Sequence, residues 1–293
     1  MGENIGNIEI LSAHCRDYEL LDSGDRQKLE RFGDIIAVRS EPKAWWGRSR
    51  PELWGRADCV YEDESREKRW NFARKVRAPV LDFDGVKFCA KFADGTKHLG
   101  VFPEQLPHWR YIAESVKNKK TATPPRLLNL FGYTGAATLF AARAGFEPTH
   151  VDASRPSVEW ARKNQEISGL SAAKIRWIVD DALKYVARES RRGAKYDAIV
   201  LDPPAFGRGP KGELWKLEKM LPQLLKSCRS VLSDTPLFVL MTLYSIDASP
   251  IMAGNMLREF FGDRAKSVSF GELVLSPEKG YPLPLSLWAR CEF

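Results

Sequence analysis

The sequence predicts a doubly wound α/β domain with a mostly parallel sheet, preceded by a smaller β-rich domain. From residue 126 onward, strand-like and helix-like segments alternate strictly, which is typical of a parallel sheet covered by helices on both faces. Before that point, short β-like runs are separated by turn residues. The chain has 293 residues, of which 44% are hydrophobic, so it can bury a sizeable core. We expect the small domain at 1–118, a linker at 119–125 and the large domain at 126–293.

The first domain is predicted from its β-like runs and the turns between them. The runs are YELLD, KLERF, DIIAVRS, KVRAPVLDF and VKFCAKF, and the turns are SGD, FGD, FDG and ADG. The segment VKNKKTATPPR that follows combines charged residues, polar residues and a double proline, which oppose both helix and strand. This composition predicts a linker.

The large domain is predicted to contain seven strands with helices between them. In chain order, the strands are RLLNLFG, FEPTHVDA, KIRWIVD, YDAIVLDPP, PLFVLMTLY, KSVSFGELVL and PLSLWARCEF. The helices are TLFAARA, PSVEWARKNQEIS, ALKYVARESRRG, WKLEKMLPQLLKSCRSVL and SPIMAGNMLREFFG. Gly145 and Gly169 stand where a left-handed residue ends a helix, and Pro156 suits a first helical turn. No helix fits between the last two strands, so we expect the last strand to be antiparallel.

Composition limits the classes of partner. Lys and Arg outnumber Asp and Glu by 45 to 38, and the resulting charge of +7 favours a polyanionic partner. The five cysteines form no CxxC pair and the four histidines are isolated, so we expect neither disulfides nor a metal site. The segment MGENIGNIEI lacks the pattern of a signal peptide, and the longest uncharged run near the centre is shorter than the roughly 20 residues that span a bilayer. We therefore expect a cytoplasmic protein with no membrane partner, and the oligomeric state stays open.

The segment NLFGYTG, residues 129–135, joins the first large-domain strand to its helix and is a candidate cofactor loop. Dinucleotide binding needs GxGxxG, whereas this loop has only two glycines, and its aromatic side chains would meet a pyrophosphate. S-adenosylmethionine carries no phosphate and therefore fits the loop better. We expect its methionine part to face Asn129, Thr134 and the backbone of Gly132 and Gly135, and Phe131 and Tyr133 are further candidate cofactor-binding residues of the loop.

Aspartates follow the next two strands. Asp152 would accept hydrogen bonds from both ribose hydroxyls, with Ala153 beside it. Asp181 would accept from the adenine amine, while the Ala182 amide donates to the ring. Each aspartate alone is also typical of a helix cap. Open α/β sheets bind ligands at the carboxyl ends of their strands, so the ordered coincidence favours a cofactor site.

The segment LDPPAFGRG, residues 201–209, follows the fourth strand. An aspartate and a proline carbonyl would accept from an amine on a flat base, and the aromatic ring would stack on that base. A rigid turn with a core phenylalanine is the alternative interpretation. The candidate catalytic residues are Asp202, Pro203 and Phe206, and the candidate substrate-binding residues nearby are Pro204, Arg208 and Lys211.

Taken together, NLFGYTG, HVDAS, VDDALKYV and LDPPAFGRG resemble the class I S-adenosylmethionine-dependent methyltransferases. The order and spacing are most similar to the bacterial 23S ribosomal RNA methyltransferases that modify cytosine at carbon 5 or guanine at nitrogen 7. The similarity covers residues 126–293 and, more faintly, YELLDSGDRQKLERFG and GVFPEQ. It implies that the substrate is ribosomal RNA or a pre-ribosomal subunit. It also implies cofactor roles for Asn129, Tyr133, Thr134, Gly135, Asp152, Asp181 and Asp202, with Glu104 and Gln105 of GVFPEQ as further candidates.

One departure from these relatives bears on the methylated atom. Carbon-5 methylation needs a covalent nucleophile, which the relatives supply as a cysteine at the end of the fifth strand. This chain has VLMTLYSID there, with Tyr244 in that place and Cys228 on the preceding helix. We therefore expect transfer to a ring or exocyclic nitrogen of a base, with Asp202 orienting the acceptor and Tyr244 contacting the substrate.

The segment AWWGRSRPELWGR, residues 44–56, interleaves tryptophans and arginines. Such a loop suits unpaired bases and phosphates, so Trp45 and Arg48 are further candidate substrate-binding residues. A core or domain interface explains the tryptophans equally well. Three other functions stay open: a noncatalytic RNA-binding or ribosome-assembly protein that keeps the pocket, a methyltransferase of protein or small molecules, and a nicotinamide-dependent oxidoreductase. The glycine pattern disfavours the oxidoreductase.

Overall fold

The computed structural model describes residues 7–63, 68–117, 123–244 and 246–293. The helices are α1 (Pro51–Trp54), α2 (Leu106–Glu114), α3 (Ala136–Ala144), α4 (Arg155–Ile167), α5 (Ala182–Arg191), α6 (Leu217–Val231) and α7 (Pro250–Phe261). The strands are β1 (Ile8–Ser12), β2 (Tyr18–Gly24), β3 (Gln27–Phe32), β4 (Ile35–Ser40), β5 (Cys59–Glu62), β6 (Arg69–Phe72), β7 (Val80–Phe83), β8 (Val86–Cys89), β9 (Arg126–Leu130), β10 (Glu147–Asp152), β11 (Arg176–Val179), β12 (Ala198–Leu201), β13 (Phe206–Arg208), β14 (Leu214–Lys216), β15 (Phe238–Tyr244), β16 (Ser267–Leu275) and β17 (Leu283–Glu292).

The large sheet has eight strands within the described ranges, in the order β1-β16-β17-β15-β12-β9-β10-β11. Strands β9 to β12 and β15 run parallel, and β17 is antiparallel to both of its neighbours. The predicted α/β fold and its antiparallel last strand are confirmed. The sequence did not predict the eighth strand, β1, which pairs in parallel with β16 at the sheet edge. Ile8, Glu9 and Ile10 alternate apolar and polar residues, but the strand has only five residues and none of them is buried.

The predicted helix boundaries of the large domain are confirmed where glycine or proline marks them. Gly135 and Gly145 flank α3 with φ angles of 90° and 101°, and Gly169 follows α4 with φ of 70°. Pro156 lies in the first turn of α4. Helix α6 begins two residues later than WKLEKMLP suggested, because Trp215 belongs to β14 and is buried.

Strands β2 to β8, which follow β1, form a five-stranded sheet in the order β2-β3-β4-β5-β6 and the separate hairpin β7-β8. The FDG turn of that hairpin is confirmed, since Asp84 and Gly85 have φ of 51° and 86°. Helix α2 lies in the segment for which only strands were predicted. Its buried face includes Leu106, Trp109 and Ile112.

One hydrophobic core joins the small sheets to the large domain. Phe83, Phe88 and Trp109 pack around one another and against Phe140 of α3, with the Trp109 and Phe140 ring centroids 5.4 Å apart. Residues 118–122, which include much of the predicted linker, lie outside the described residues. The division into two domains stays a prediction. The shared core places residues from the first part of the chain beside the carboxyl ends of the large sheet.

Candidate active site

A cavity of about 560 Å³ opens where β9, β10, β11 and β12 end. The loops after these strands form one wall, and residues 96–102 together with the end of β15 form the opposite wall. The lining residues are Thr96, His98, Phe102, Phe131, Tyr133, Val151, Asp152, Ala153, Ser154, Asp180, Asp181, Ala182, Asp202, Pro203, Pro204, Ala205, Gly207, Arg208, Gly209, Trp215 and Tyr244. Segments predicted separately from the sequence thus meet at one site.

The NLFGYTG loop is held in a conformation that is rare for residues with side chains. Phe131 and Tyr133 have φ of 58° and 49°, in the left-handed region. Such positions cost on the order of 1–3 kcal/mol each, and they cluster at binding sites. A Cβ atom on Gly132 would collide with the His150 ring, so only glycine fits there. The loop therefore brings its backbone and both aromatic side chains to the cavity wall at a cost in stability.

Asp152 holds this loop in place. Its Oδ2 accepts a hydrogen bond from the Tyr133 amide and its Oδ1 accepts one from the Ser154 amide, both at 2.8 Å. Burial raises the pKa of its carboxyl. Each carboxylate oxygen still has a further lone pair, so Asp152 is able to accept from a diol in the cavity.

Asp181 has both of the roles considered for it. It is the N-cap of α5, where its Oδ1 accepts from the Lys184 amide at 2.9 Å, and it also lines the cavity. Asp180 precedes it, accepts from the Asp181 amide and forms an ion pair with Arg188. Asp180 was not singled out in the sequence. The repeated Asp in VDDALKYV was the available signal.

Asp202 lies at the centre of a buried polar group. Gln105 donates from Nε2 to Asp202 Oδ2 at 3.2 Å, and Gln105 Oε1 accepts from Thr242 Oγ1 at 3.4 Å. The Asp202 Oδ1 atom is buried and has no hydrogen-bond partner among the described residues. Burial, and then the nearby Glu104 carboxyl, raises the pKa of Asp202 to about 8.

Glu104 and Tyr244 belong to the same cluster of buried polar side chains as Asp202 and Gln105. Tyr244 Oη donates to Glu104 Oε1 at 3.1 Å. Burial raises the pKa of Glu104, and it raises that of Tyr244 well above its ordinary value. Tyr244 lines the cavity, whereas Glu104 contacts it through Tyr244. An ionised Oδ1 of Asp202 would accept a hydrogen bond from an amine, and a protonated one would donate to a ring nitrogen.

A smaller cavity of about 60 Å³ adjoins the first and shares Phe102, Phe131, Tyr133 and Asp202 with it. Four other predicted residues line it: Gln105, Asn129, Gly132 and Thr134. Asn129 donates from Nδ2 to Thr138 Oγ1, and Thr134 donates from Oγ1 to the Gly100 carbonyl. The loop after β9 is therefore bonded directly to the segment that covers it.

The remaining predicted residues divide into two groups. Pro203, Pro204 and Arg208 line the large cavity, and Phe206 lies in the same loop with 56% of its surface exposed. Gly135, Lys211, Trp45 and Arg48 line neither cavity. Gly135 lies at the start of α3, where a Cβ atom would come within 2.9 Å of the Ala161 side chain. Lys211 lies in the connection between β13 and β14, and Trp45 and Arg48 lie on the loop after β4.

Sequence reasoning missed most of the wall formed by residues 96–102. Phe102 packs against both Tyr133 and Tyr244, with ring centroids 5.7 and 5.6 Å apart, and His98 stacks on Phe102. Burial and neighbouring cations lower the pKa of His98 to about 3, so it is neutral at physiological pH. The GVFPEQ segment was the only signal, and it drew attention to its carboxyl-terminal residues alone.

The residues present fit S-adenosylmethionine. Asp202 Oδ1 is a buried acceptor without a partner, and the loop after β9 leaves no room for a Cβ atom on Gly132. Acceptors at the ends of β10 and β11 are spaced along the cavity, and its volume is within the range of small-molecule sites. The wall contains aromatic rings and the side chains of Asp152, Asp180, Asp181 and Asp202, an acidic lining that disfavours a pyrophosphate.

None of the described lining residues is a cysteine. Cys228 is fully buried in the core between α6 and the sheet, and burial raises the pKa of its thiol to about 12. No group of three or more His, Cys, Asp or Glu side chains in the described ranges is arranged to hold a metal ion. No helix in the described part of the chain is long and apolar enough to cross a membrane.

Comparison with known proteins gives three findings, although no family model matches the chain. The crystal structure of the SAM-dependent methyltransferase from Agrobacterium tumefaciens is 42% identical, with a TM-score of 0.92 over 97% of this chain and 93% of that chain. Ribosomal RNA large subunit methyltransferase I of Pseudoalteromonas translucida is 29% identical over 269 residues, which are 88% of this chain and 61% of that protein. Ribosomal RNA large subunit methyltransferase K/L of the same organism is 32% identical over 70% of this chain and 27% of that protein. The chain thus spans less than two thirds of these two curated relatives.

Proposed function

Because the chain belongs to the S-adenosylmethionine-dependent methyltransferases, we propose that it methylates a nitrogen atom of a base in ribosomal RNA. The observation that carries this proposal is the buried Asp202 Oδ1, which has no partner in the described chain. Asp202 lines the large cavity, and Phe206 of the same loop is exposed. A flat, polar ligand satisfies both groups at once.

In this proposal the cofactor lies along the ends of β9, β10 and β11. Asp152 accepts from the ribose hydroxyls, Asp181 and the Ala182 amide bind the adenine, and the loop around Gly132 and Tyr133 binds the methionine part. When bound, the cofactor supplies a methyl group on a positively charged sulfur. The acidic and aromatic wall suits that charge, since carboxylates and aromatic faces both attract cations.

The base acceptor is held by Asp202. Its carboxyl group is fixed by the amide of Gln105, so a base nitrogen that forms a hydrogen bond with Oδ1 has a defined orientation. Correct orientation in a desolvated pocket accounts for a large part of the barrier reduction in transfer reactions. Asp202 positions the nucleophilic nitrogen. The Pro203 carbonyl and the Phe206 ring would bind the rest of the base.

The covalent route to carbon 5 is disfavoured. Tyr244 stands where the relatives would have a cysteine, and its hydroxyl is bound to Glu104. Cys228 is buried on the core side of the sheet with a raised pKa, so it supplies no thiolate to the cavity. A nitrogen acceptor needs no such nucleophile.

An RNA substrate is supported by the names of the relatives and by the charge of the chain. The chain has a formal charge of +7, and Arg208, Lys211 and Lys216 lie on the β13-β14 hairpin beside the cavity mouth. A protein with this substrate would act in the cytoplasm. Arg208, Lys211 and Lys216 would contact phosphates on either side of the target nucleotide.

The test is transfer of tritiated methyl from S-adenosylmethionine to ribosomal RNA from a strain that lacks the gene. RNA from the parent strain and the Asp202→Ala enzyme are the controls. We expect label only when the wild-type enzyme meets RNA from the deletion strain. No label in free RNA or in intact subunits, despite measured cofactor binding, would favour a protein or small-molecule acceptor, or an RNA-binding protein without catalysis.

A further inference from the structure

A second aromatic surface lies outside the active site, where two loops from distant parts of the chain meet. Trp45 follows β4 and is 79% exposed, and Tyr281 lies between β16 and β17 and is 59% exposed. Trp46 links them, because its ring packs on Tyr281 with centroids 5.9 Å apart. Aromatic side chains that lie together on the surface are able to stack on a flat ligand.

The loop that carries Trp45 is held rigidly. Buried Asp22 accepts from the Trp54 indole at 2.8 Å and from the Arg50 amide at 2.9 Å. The Trp45 indole N–H donates to the Pro42 carbonyl at 2.7 Å, which fixes the ring, and the Arg26 guanidinium lies over the ring with its carbon 5.8 Å from the centroid. A ring ordered before binding loses little entropy when a ligand stacks on it.

The charge of the same loop suits an anionic ligand. Residues 42–50 contain Lys43, Arg48 and Arg50 and no acidic residue. Each of these cations has an internal partner: Arg48 packs on the Trp54 ring and pairs with Asp25, Arg50 pairs with Glu52, and Lys43 donates to the Leu285 carbonyl. We therefore assign stacking to Trp45 and Tyr281 rather than to Arg48.

Lys43, two residues before Trp45, reaches the carboxyl end of β15, where the active site also lies. Lys43 lines a cavity of about 220 Å³ together with Leu243 and Ser286. Leu243 precedes Tyr244, and Tyr244 is paired with Ser286 across β15 and β17 while lining the large cavity. The Lys43 cavity and the large cavity thus lie at the same end of β15, although they share no lining residue among those described.

From this arrangement we propose that Trp45 and Tyr281 form a stacking platform for unpaired RNA adjoining the methylated nucleotide, with the strand passing Lys43. The proposal rests on the proposed function, because it assumes an RNA substrate. Every base offers a flat face, so the platform would bind single-stranded RNA with little sequence preference. Sequence choice would stay with the cavity around Asp202.

The platform is tested by binding of a fluorescein-labelled oligouridylate, measured by anisotropy without cofactor. Trp45→Ala and Tyr281→Ala should each weaken affinity by about 5-fold to 100-fold, the range observed for losing one stacked base. Trp45→Phe should restore most of the affinity. Phe72→Ala is the matched control, because Phe72 is an exposed aromatic residue, 44% exposed, on edge strand β6 of the small sheet. The Phe72→Ala variant should bind the oligouridylate as tightly as wild type does.

Methyl transfer separates the platform from the chemistry. With RNA from the deletion strain, each platform variant should raise KM by the factor by which it weakens oligouridylate binding. Both kcat and cofactor affinity should stay unchanged. Unchanged oligouridylate affinity in both variants would overturn the platform. So would a loss of methylation confined to assembled subunits with RNA affinity intact, since that pattern indicates a protein contact. Failure of the wild-type enzyme to label any RNA would instead refute the proposed function.

Discussion

Asp202→Asn should make the protein more stable while removing its activity. The Asp202 carboxyl has an ordinary pKa of 3.8 and a pKa of about 8 in the folded protein, chiefly because it is buried. Between those values the unfolded chain has lost a proton that the folded protein keeps. The stability of wild type therefore falls as the pH rises through this window.

The size of the effect follows from the shift. Each pKa unit corresponds to about 1.4 kcal/mol, so keeping Asp202 buried costs about 4 kcal/mol at pH 7 and at most about 6 kcal/mol above pH 8. Asparagine avoids this cost, but it places an amide N–H where Oδ1 lacks a partner, a penalty of about 1–3 kcal/mol. We expect Asp202→Asn to be more stable by about 1–3 kcal/mol at pH 7 and nearly equal to wild type at pH 5.

Urea unfolding of both proteins at pH 5, 6, 7, 8 and 9 measures this difference directly. Groups that do not interact with Asp202 cancel between the two proteins, so the difference reports Asp202 together with the neighbouring Glu104 carboxyl. Asp263→Asn is the control: Asp263 has a lowered pKa through its pair with Arg229, and its removal should give no slope across this range. A difference for Asp202→Asn that does not change from pH 5 to 8 would refute the argument, because it would mean that Asp202 is ionised in both states.

Three further predictions concern the cofactor loop and the reaction. Asp152→Ala should weaken binding of S-adenosylhomocysteine by about 10-fold to 100-fold in calorimetry, because the ribose loses a charged acceptor; unchanged affinity would exclude Asp152 from the site. Gly132→Ala should lose about 1–3 kcal/mol in thermal unfolding because its Cβ meets the His150 ring, whereas Gly47→Ala, which has open space, should not; equal losses would contradict the steric argument. Cys228→Ser should leave the single-turnover rate unchanged, and a lost rate at unchanged stability would revive the covalent route.

The sequence predicted the large domain well because its signals are local. Alternation of strands and helices, the glycines after α3 and α4, and Pro156 each act within a few residues. Asp152 and Asp202 could be brought together in advance because parallel strands place their carboxyl ends at one edge. The predicted order of parallel strands was therefore enough to place these two distant residues at one site.

The missed features depend on contacts that no local pattern encodes. Gln105 and Asp202 are 97 positions apart, and their hydrogen bond arises from the packing of α2 beside β12 and β15. Likewise, Phe102 becomes part of the wall only because Tyr133 and Tyr244 meet it. The hairpin β13-β14 was taken for an irregular loop, since each of its strands has only three residues.

The pairing of β1 with β16 has a consequence for how the chain is made. Ser12 and Ser276 share a hydrogen bond across 264 positions, so β1 has no place to pair until nearly all of that length has been synthesised. The small sheet, built from neighbouring strands, is able to close much earlier. β1 is synthesised long before β16, but until the two strands pair, β16 presents an open edge on which another unfinished chain could pair. We therefore expect the self-association of nascent or refolding chains to begin at β16, and the return of the first strand to end it.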